Sequence, residues 1–323
     1  MEINKITSFL EPEWSQYEEL FSQAIASPYS LLTQINSHLT ANRGKQIRPI
    51  LSLLSAKIFG TPTPLSVATA AVVEMVHTAT LLHDDVADQS DTRRGALTVQ
   101  KLYSPLASVL LGDFWLARAF QLLMDYQGEA FLCYFARAIR EMSEGELFQM
   151  EKAMQRNTTI TEYNEIISKK TAMLMAAGMV AGAQSAGASV SQCKVIEQMG
   201  VCIGIAFQIR DDILDYSPQI DIGKPSGHDL MEGKLTLPLL AAMEKAPLEE
   251  RTEVHKWIQE LSVNPQAICK IIDFVQYNHG IEFAQRAVEQ KEQEAKALLL
   301  QCPDNAARHC LEEFVVRMSG RNM

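Results

Sequence analysis

Ala79-Thr80-Leu81-Leu82-His83-Asp84-Asp85-Val86-Ala87-Asp88 and Ile205-Ala206-Phe207-Gln208-Ile209-Arg210-Asp211-Asp212-Ile213-Leu214-Asp215 carry one acidic pattern twice, each time at the end of an apolar run. Residues four apart on a helix share a face, so each segment, read as helix, projects its first and last carboxylates together with a third beside them. Carboxylates gathered in this way repel one another unless a cation lies among them. Oxygen-only donors favour Mg2+, which keeps much of its water and completes its shell with phosphate oxygens. The pair reads as two opposing Asp-rich helices around hard divalent cations and a diphosphate.

Outward from these segments, apolar residues recur at helical spacing and runs of period two are hard to find, so the fold class is all-α. Breaks are expected at Asn42-Arg43-Gly44, at Gly60 to Pro64, from Gln89 to Gly95, from Ser217 to Gly227, and at Pro247 and Pro265. None resembles a flexible linker, and residues 1–323 read as one domain. The Ala-, Gly- and Met-rich segment from Met173 to Gly187 predicts close helix packing.

The 323 residues are 47% hydrophobic, ample for a large core. A formal net charge of -10 excludes a general nucleic-acid binder, which needs surplus Lys and Arg. The six cysteines show no CxxC spacing, which argues against a zinc site or disulfide framework and fits a reduced, cytoplasmic setting. The first residues lack the basic and apolar regions of a signal peptide. Thr171 to Ala183 is too short to span a bilayer before Gln184 interrupts it, so no stable membrane insertion is expected.

A diphosphate also needs donors, and the basic residues of this acidic chain stand beside the acidic motifs. Gly44-Lys45-Gln46-Ile47-Arg48-Pro49 places two cations at a loop-to-helix junction, where free backbone N–H groups also favour anions. Arg93-Arg94-Gly95 follows the first motif; Lys224, Gly227 and Lys234 follow the second. Arg suits bidentate phosphate contact and Lys supplies a mobile charge. Taken singly, each element has a plainer explanation as solvated surface charge. Two acidic motifs flanked by three basic segments make that explanation a poor one.

In combination and order, these motifs resemble those of the trans-isoprenyl (polyprenyl) diphosphate synthase family, long-chain type. The resemblance extends through Glu74-x-x-His77, Gly112-Asp113, Glu144-Gly145-Glu146, Lys170-Thr171 and Gly233-Lys234. It implies a bundle of mostly antiparallel helices around a deep cavity, usually a homodimer, with pairing to a noncatalytic subunit as an alternative. It also implies that Asp84, Asp88 and Asp211 coordinate Mg2+, about three ions per site, on an allylic diphosphate. Asp85, Asp212 and Asp215 would act directly or through water. Arg93, Lys170, Gln208, Lys224 and Lys234 would contact the same diphosphate, with Thr171 helping to position it. Lys45, Arg48, His77 and Arg94, with the Gly44 backbone, would hold isopentenyl diphosphate. Gln46 departs from the pattern, since a basic residue often stands there.

The implied reaction is ionisation of the allylic diphosphate, attack by the second substrate's alkene and loss of a proton. Of the two nearby histidines, His77 is expected to contact substrate and His83 to be a hydrogen-bonded polar residue. Helical geometry selects Ala79, Val76, Met75 and Val72 to line a tunnel for the growing tail. Early-terminating relatives place large aromatics four and five residues before the first motif, where this chain has Thr80 and Ala79. The tunnel is therefore expected to stay open, giving an all-trans product of about C30 to C45, centred on about C40, from a primer such as farnesyl diphosphate. Met75, Phe120, Leu123, Phe131 and Leu132 are floor candidates. A short-chain synthase is the alternative. A terpene cyclase fits less well because the second motif is all Asp, and a His-Asp hydrolase would leave that motif and Lys45/Arg48 without a task.

Overall fold

In the computed structural model, residues 3–216, 227–261, 264 and 266–319 are described, with side chains from 4 to 316 within those ranges. Lys224, most of the expected break from Ser217 to Gly227, and Pro265 lie outside them. The helix bearing the first acidic motif starts where its sequence says it should. Pro64 occupies the first turn, Thr63 Oγ1 accepts from Ser66 N at 3.2 Å, and Thr63 N donates to Ser66 Oγ at 2.9 Å. The helix carrying the second motif begins with the same reciprocal cap between Ser189 and Gln192.

The helices in chain order are α1 (Ile3–Phe9), α2 (Glu13–Ala24), α3 (Ser30–Ala41), α4 (Ile47–Phe59), α5 (Pro64–Ala87), α6 (Val99–Leu102), α7 (Pro105–Asp125), α8 (Leu132–Gln155), α9 (Ile160–Ile167), α10 (Met173–Ser185), α11 (Val190–Asp215), α12 (His228–Met231), α13 (Leu237–Lys245), α14 (Leu248–Glu260), α15 (Ala267–Tyr277), α16 (Gly280–Leu299) and α17 (Ala306–Ser319). The fold is all-α; the expected breaks at Asn42–Gly44, Gly60–Thr63, Gln89–Gly95 and Pro247 are present, and others, such as those between α8 and α9 and between α10 and α11, were not foreseen. One pair of strands, β1 (Thr92–Arg93) and β2 (Ala96–Leu97), forms a hairpin inside the expected Gln89–Gly95 break. Its two-residue loop is Arg94-Gly95, with φ of 53° and 77°. Positive φ at both central residues is what a type I′ hairpin turn requires, and Gly95 supplies the second at no steric cost.

α10 packs against α4, α5, α8 and α11. A Cβ at Gly178 would stand 2.7 Å from Val73 Cγ2, and one at Gly200 2.6 Å from Ala176 Cα, so the small residues do allow close approach. Between α9 and α10 the helix continues through a π turn at Ser168–Ala172. That continuity makes Ile160–Ser185 a 26-residue apolar helix, longer than the Thr171–Ala183 stretch suggested. By length and composition this helix, α5, α7 and α11 could each cross a membrane. The most apolar windows of α5 and Ile160–Ser185 are 72% and 78% buried inside the protein, whereas that of α7 is only 39% buried.

Buried apolar side chains form two clusters, a larger one around α2, α4, α5, α7 and α10 and a smaller one around α13 to α16. α11 contributes Ile196, Met199 and Ile203 to the first and Ile209 and Ile213 to the second.

Candidate active site

The end of α5 presents its carboxylates differently. Asp84 is half-buried and Asp88 reaches solvent, while Asp85 is buried and its Oδ1 accepts from Arg93 Nε at 2.7 Å. Burial pushes the Asp84 carboxyl up to about 6, with Lys170 working against the shift and Glu146 and Asp88 adding to it. The hairpin sends Arg93 of β1 to Asp85, while Arg94 in its turn reaches Gly44, just before α4. A Cβ at Gly44 would lie 2.5 Å from Arg94 Cζ, so the bare backbone there is what lets the guanidinium settle.

At the end of α11, Asp212 is buried and shared between two donors, Tyr163 Oη at 2.5 Å and Gln208 Nε2 at 2.8 Å. Gln208 Oε1 accepts in turn from Thr171 Oγ1 at 2.7 Å, which ties the π turn to the motif. Burial and then the Asp229 carboxylate push Asp212 up to about 8 against these hydrogen bonds. Asp215 accepts from the backbone N of His228 (3.1 Å) and Asp229 (3.3 Å), fixing the start of α12. Asp211 keeps solvent contact, yet the surrounding protein pushes its carboxyl up to about 6 despite Arg210, Arg48 and Lys45.

The cations connect the two motifs. Lys234 Nζ lies 3.6 Å from Asp88 Oδ1 and 2.7 Å from Glu232 Oε2. Burial disfavours its charge, but Asp88, Glu232 and Asp229 together raise its pKa. Lys234 also lines a cavity of about 100 Å3 with Lys170, Thr171, Gln208, Asp212 and Asp229. Lys170 pairs with Glu146 and donates to Gln149 Oε1 at 2.8 Å. Lys234, paired with Asp88 of the first motif, thus shares a cavity with Asp212 of the second.

A second basic cluster surrounds the start of α4. Lys45 is exposed, Arg48 and His77 are half-buried, and Arg94 closes over Gly44. Burial first, then Arg48, Arg94 and Arg93, hold His77 well below the usual imidazole pKa, so it is neutral near pH 7. Gln46, the departure from the motif, has φ of 50° and donates from Nε2 to Tyr17 Oη at 2.9 Å. It anchors the loop to α2 and leaves anion contact to Lys45 and Arg48. His83 Nε2 lies 3.3 Å from Val109 O and 3.5 Å from Asp113 Oδ1, a hydrogen-bonded placement.

Among the described residues, no three Asp, Glu, His or Cys side chains already converge on one point. Asp85, Asp212 and Asp215 are hydrogen-bonded to protein donors and Asp88 pairs with Lys234, so Asp84 and Asp211 are the remaining carboxylates of the two motifs. All-oxygen donors, with the Asp84 and Asp211 carboxyls raised, fit a hard divalent cation whose shell is completed by water and substrate oxygens.

The positions expected to line a tunnel, Val72, Met75, Val76 and Ala79, are wholly buried, and Thr80 is half-buried with Oγ1 donating to His77 O at 2.8 Å. Of the floor candidates, Leu123 and Phe131 are buried and Phe120 and Leu132 half-buried. Sequence reasoning gave no role to Tyr163, Asp229, Gln149 or Glu74. Tyr163 and Gln149 are far along the chain from both acidic motifs and carry no local signal.

A family model described as polyprenyl synthetase matches residues 29–275. The chain is 32% identical over 323 residues to octaprenyl diphosphate synthase of Haemophilus influenzae, covering 100% of this chain and 98% of that one. It is 35% identical over 302 residues to the all-trans-nonaprenyl-diphosphate synthase (geranyl-diphosphate specific) of Rhodobacter capsulatus, covering 93% and 92%. Its structure matches the polyprenyl synthase of Caulobacter crescentus CB15, described as complexed with calcium and isoprenyl diphosphate, with a TM-score of 0.92 and 32% identity over 100% of this chain and 98% of that one. Fold and relatives define an all-α prenyl-transferring enzyme with the isoprenoid synthase fold. The chain belongs to the polyprenyl synthetase family.

Proposed function

We propose that this protein is a single-domain, Mg2+-dependent enzyme that condenses isopentenyl diphosphate repeatedly onto an allylic primer, farnesyl diphosphate, to make a long-chain all-trans polyprenyl diphosphate. The observation that carries this reading is the pair of acidic motifs linked by one lysine set: Lys234 reaches Asp88 and lines a cavity with Lys170 and Asp212. Asp84, Asp88 and Asp211 would hold the metal, which when bound neutralises charge growing on the departing diphosphate.

The residues supply the rest. Arg93, Lys170 and Lys234, each now paired with a carboxylate, offer N–H donors to the leaving group as the allylic C–O bond breaks. Lys45, Arg48 and Arg94 fix the second diphosphate so that its alkene meets the allylic carbon, replacing a bimolecular encounter by a set geometry. The electron pair of the alkene forms the new C–C bond, and the proton lost from the adjacent carbon passes to the released diphosphate. The small residues Ala79 and Thr80 leave room for the tail, and relatives named for octaprenyl and nonaprenyl products favour a long chain. Incubation with Mg2+, isopentenyl diphosphate and farnesyl diphosphate should yield a ladder ending at one long polyprenyl diphosphate. A cyclic hydrocarbon, or free phosphate alone, would refute the reading.

The assembly we propose is a homodimer acting in the cytoplasm. Its support is the apolar face of α7, with Leu106 67% and Leu110 58% exposed, together with Leu147 and Met154 of α8 at 66% and 79%. Sedimentation should give twice the 36.0 kDa chain mass, and Leu110→Glu should shift it to monomer at micromolar concentration. A wild-type monomer, or activity only with a second kind of chain, would remove the homodimer. One continuous helix, α11, contributing to both buried clusters supports a single domain.

A further inference from the structure

Glu74 lies on α5 one turn before His77, facing the second basic cluster. It is 6% exposed, and its Oε2 has no hydrogen-bond partner. The charges acting on it are Arg48, Arg94 and Arg43, and Glu74 is in turn the largest charge acting on Arg48 and Arg94. No ion pair joins Glu74 to any of the three among the described residues, and the Nε atoms of Arg43 and Arg48 are buried and unpartnered too. Glu74, Arg43, His77 and Arg94 line a cavity of about 70 Å3, room for about two waters.

A buried carboxylate without a direct partner is costly and calls for a reason. Glu74 does not hold the arginines by a bond, so its influence on them is the field of its charge. That field lowers the positive potential where the isopentenyl diphosphate would bind. Repeated elongation gives such weakening a use. After each condensation the lengthened chain carries its diphosphate in this acceptor site, and it must leave for the metal-binding site before the next unit can add.

We propose that Glu74 tunes the acceptor site, keeping its grip on diphosphate loose enough for the lengthened chain to be handed on. This rests on the reading of Lys45, Arg48 and Arg94 as the acceptor site. Glu74 touches no substrate; it acts through the arginines.

Glu74→Gln keeps size and removes the charge. Calorimetry with isopentenyl diphosphate alone, which cannot react, should show binding tighter by at least about tenfold, because one repelling unit charge in the protein interior is removed. Tm should stay level or rise, because an unpaired buried charge is gone. Glu74→Asp retains the charge and should bind within about twofold of wild type. With farnesyl diphosphate and excess isopentenyl diphosphate, Glu74→Gln should perform the first condensation at about the wild-type rate, then stall, giving shorter products. Unchanged or weaker binding in Glu74→Gln, or equally tight binding in Glu74→Asp, overturns the proposal. Tighter binding with an unaltered ladder overturns the hand-over. Arg94→Ala separates the two levels of the argument: if it leaves binding intact, the acceptor-site reading itself fails.

Discussion

Asp84→Asn and Asp211→Asn should each lower Mg2+-dependent turnover by at least about a thousandfold, while the metal-free protein stays as stable as wild type or becomes more so. Burial pushes the Asp84 carboxyl up to about 6 from 3.8 for a free Asp, and the surrounding protein pushes Asp211 up to about 6 although its side chain still meets solvent. Between those values the folded state binds more protons than the unfolded chain, so the metal-free protein gains stability as pH falls from about 7 to about 4. At neutral pH ionised Asp84 is therefore a cost to the fold, and Asn removes it; Asp211, screened by solvent, contributes less. Turnover has the opposite sign: as pH drops through about 6, protons compete with the divalent ion and the rate should fall. Thermal melts in a chelator at two pH values, beside a pH–rate profile, check both directions. Full activity in either variant would end the metal assignment, and a chelated Tm several degrees lower would end the electrostatic argument.

Ala79→Phe should shorten the product by several five-carbon units. Ala79 stands five residues before Asp84, about 7.5 Å along the helix, and shares a face with Val76, Met75 and Val72. A phenyl ring there blocks the path below the allylic site and leaves the carboxylates alone. Because the position is wholly buried, the added volume costs about 1–3 kcal/mol of stability, so Tm must be measured beside chain length. A folded Ala79→Phe enzyme making the wild-type product would show that the tail runs elsewhere.

The acidic motifs, the helix breaks and the basic segments were legible because each is a local pattern: i to i+4 spacing, Gly and Pro punctuation, a cation beside a helix start. The division of labour within each motif was only partly legible. Asp85, Asp212 and Asp215 are engaged by Arg93, by Tyr163 and Gln208, and by the backbone of α12. The Tyr163 bond depends on tertiary packing between distant segments. The hairpin was missed because its loop asks Arg94, a non-glycine residue, to take positive φ, and its strands are two residues long. Glu74 was legible as part of Glu74-x-x-His77 but without a role; its setting among Arg43, Arg48 and Arg94 exists only once the start of α4 and the hairpin pack around it.

The π turn at Ser168–Ala172 sets a limit on how this chain can vary. A single deletion there would straighten the helix and rotate one side against the other by about 100°. Tyr163 lies before the bulge and Thr171 within it, and both must meet the end of α11 at once. The segment thus acts as a register lock, since a change in its length would part either Tyr163 or Thr171 from its partner on α11.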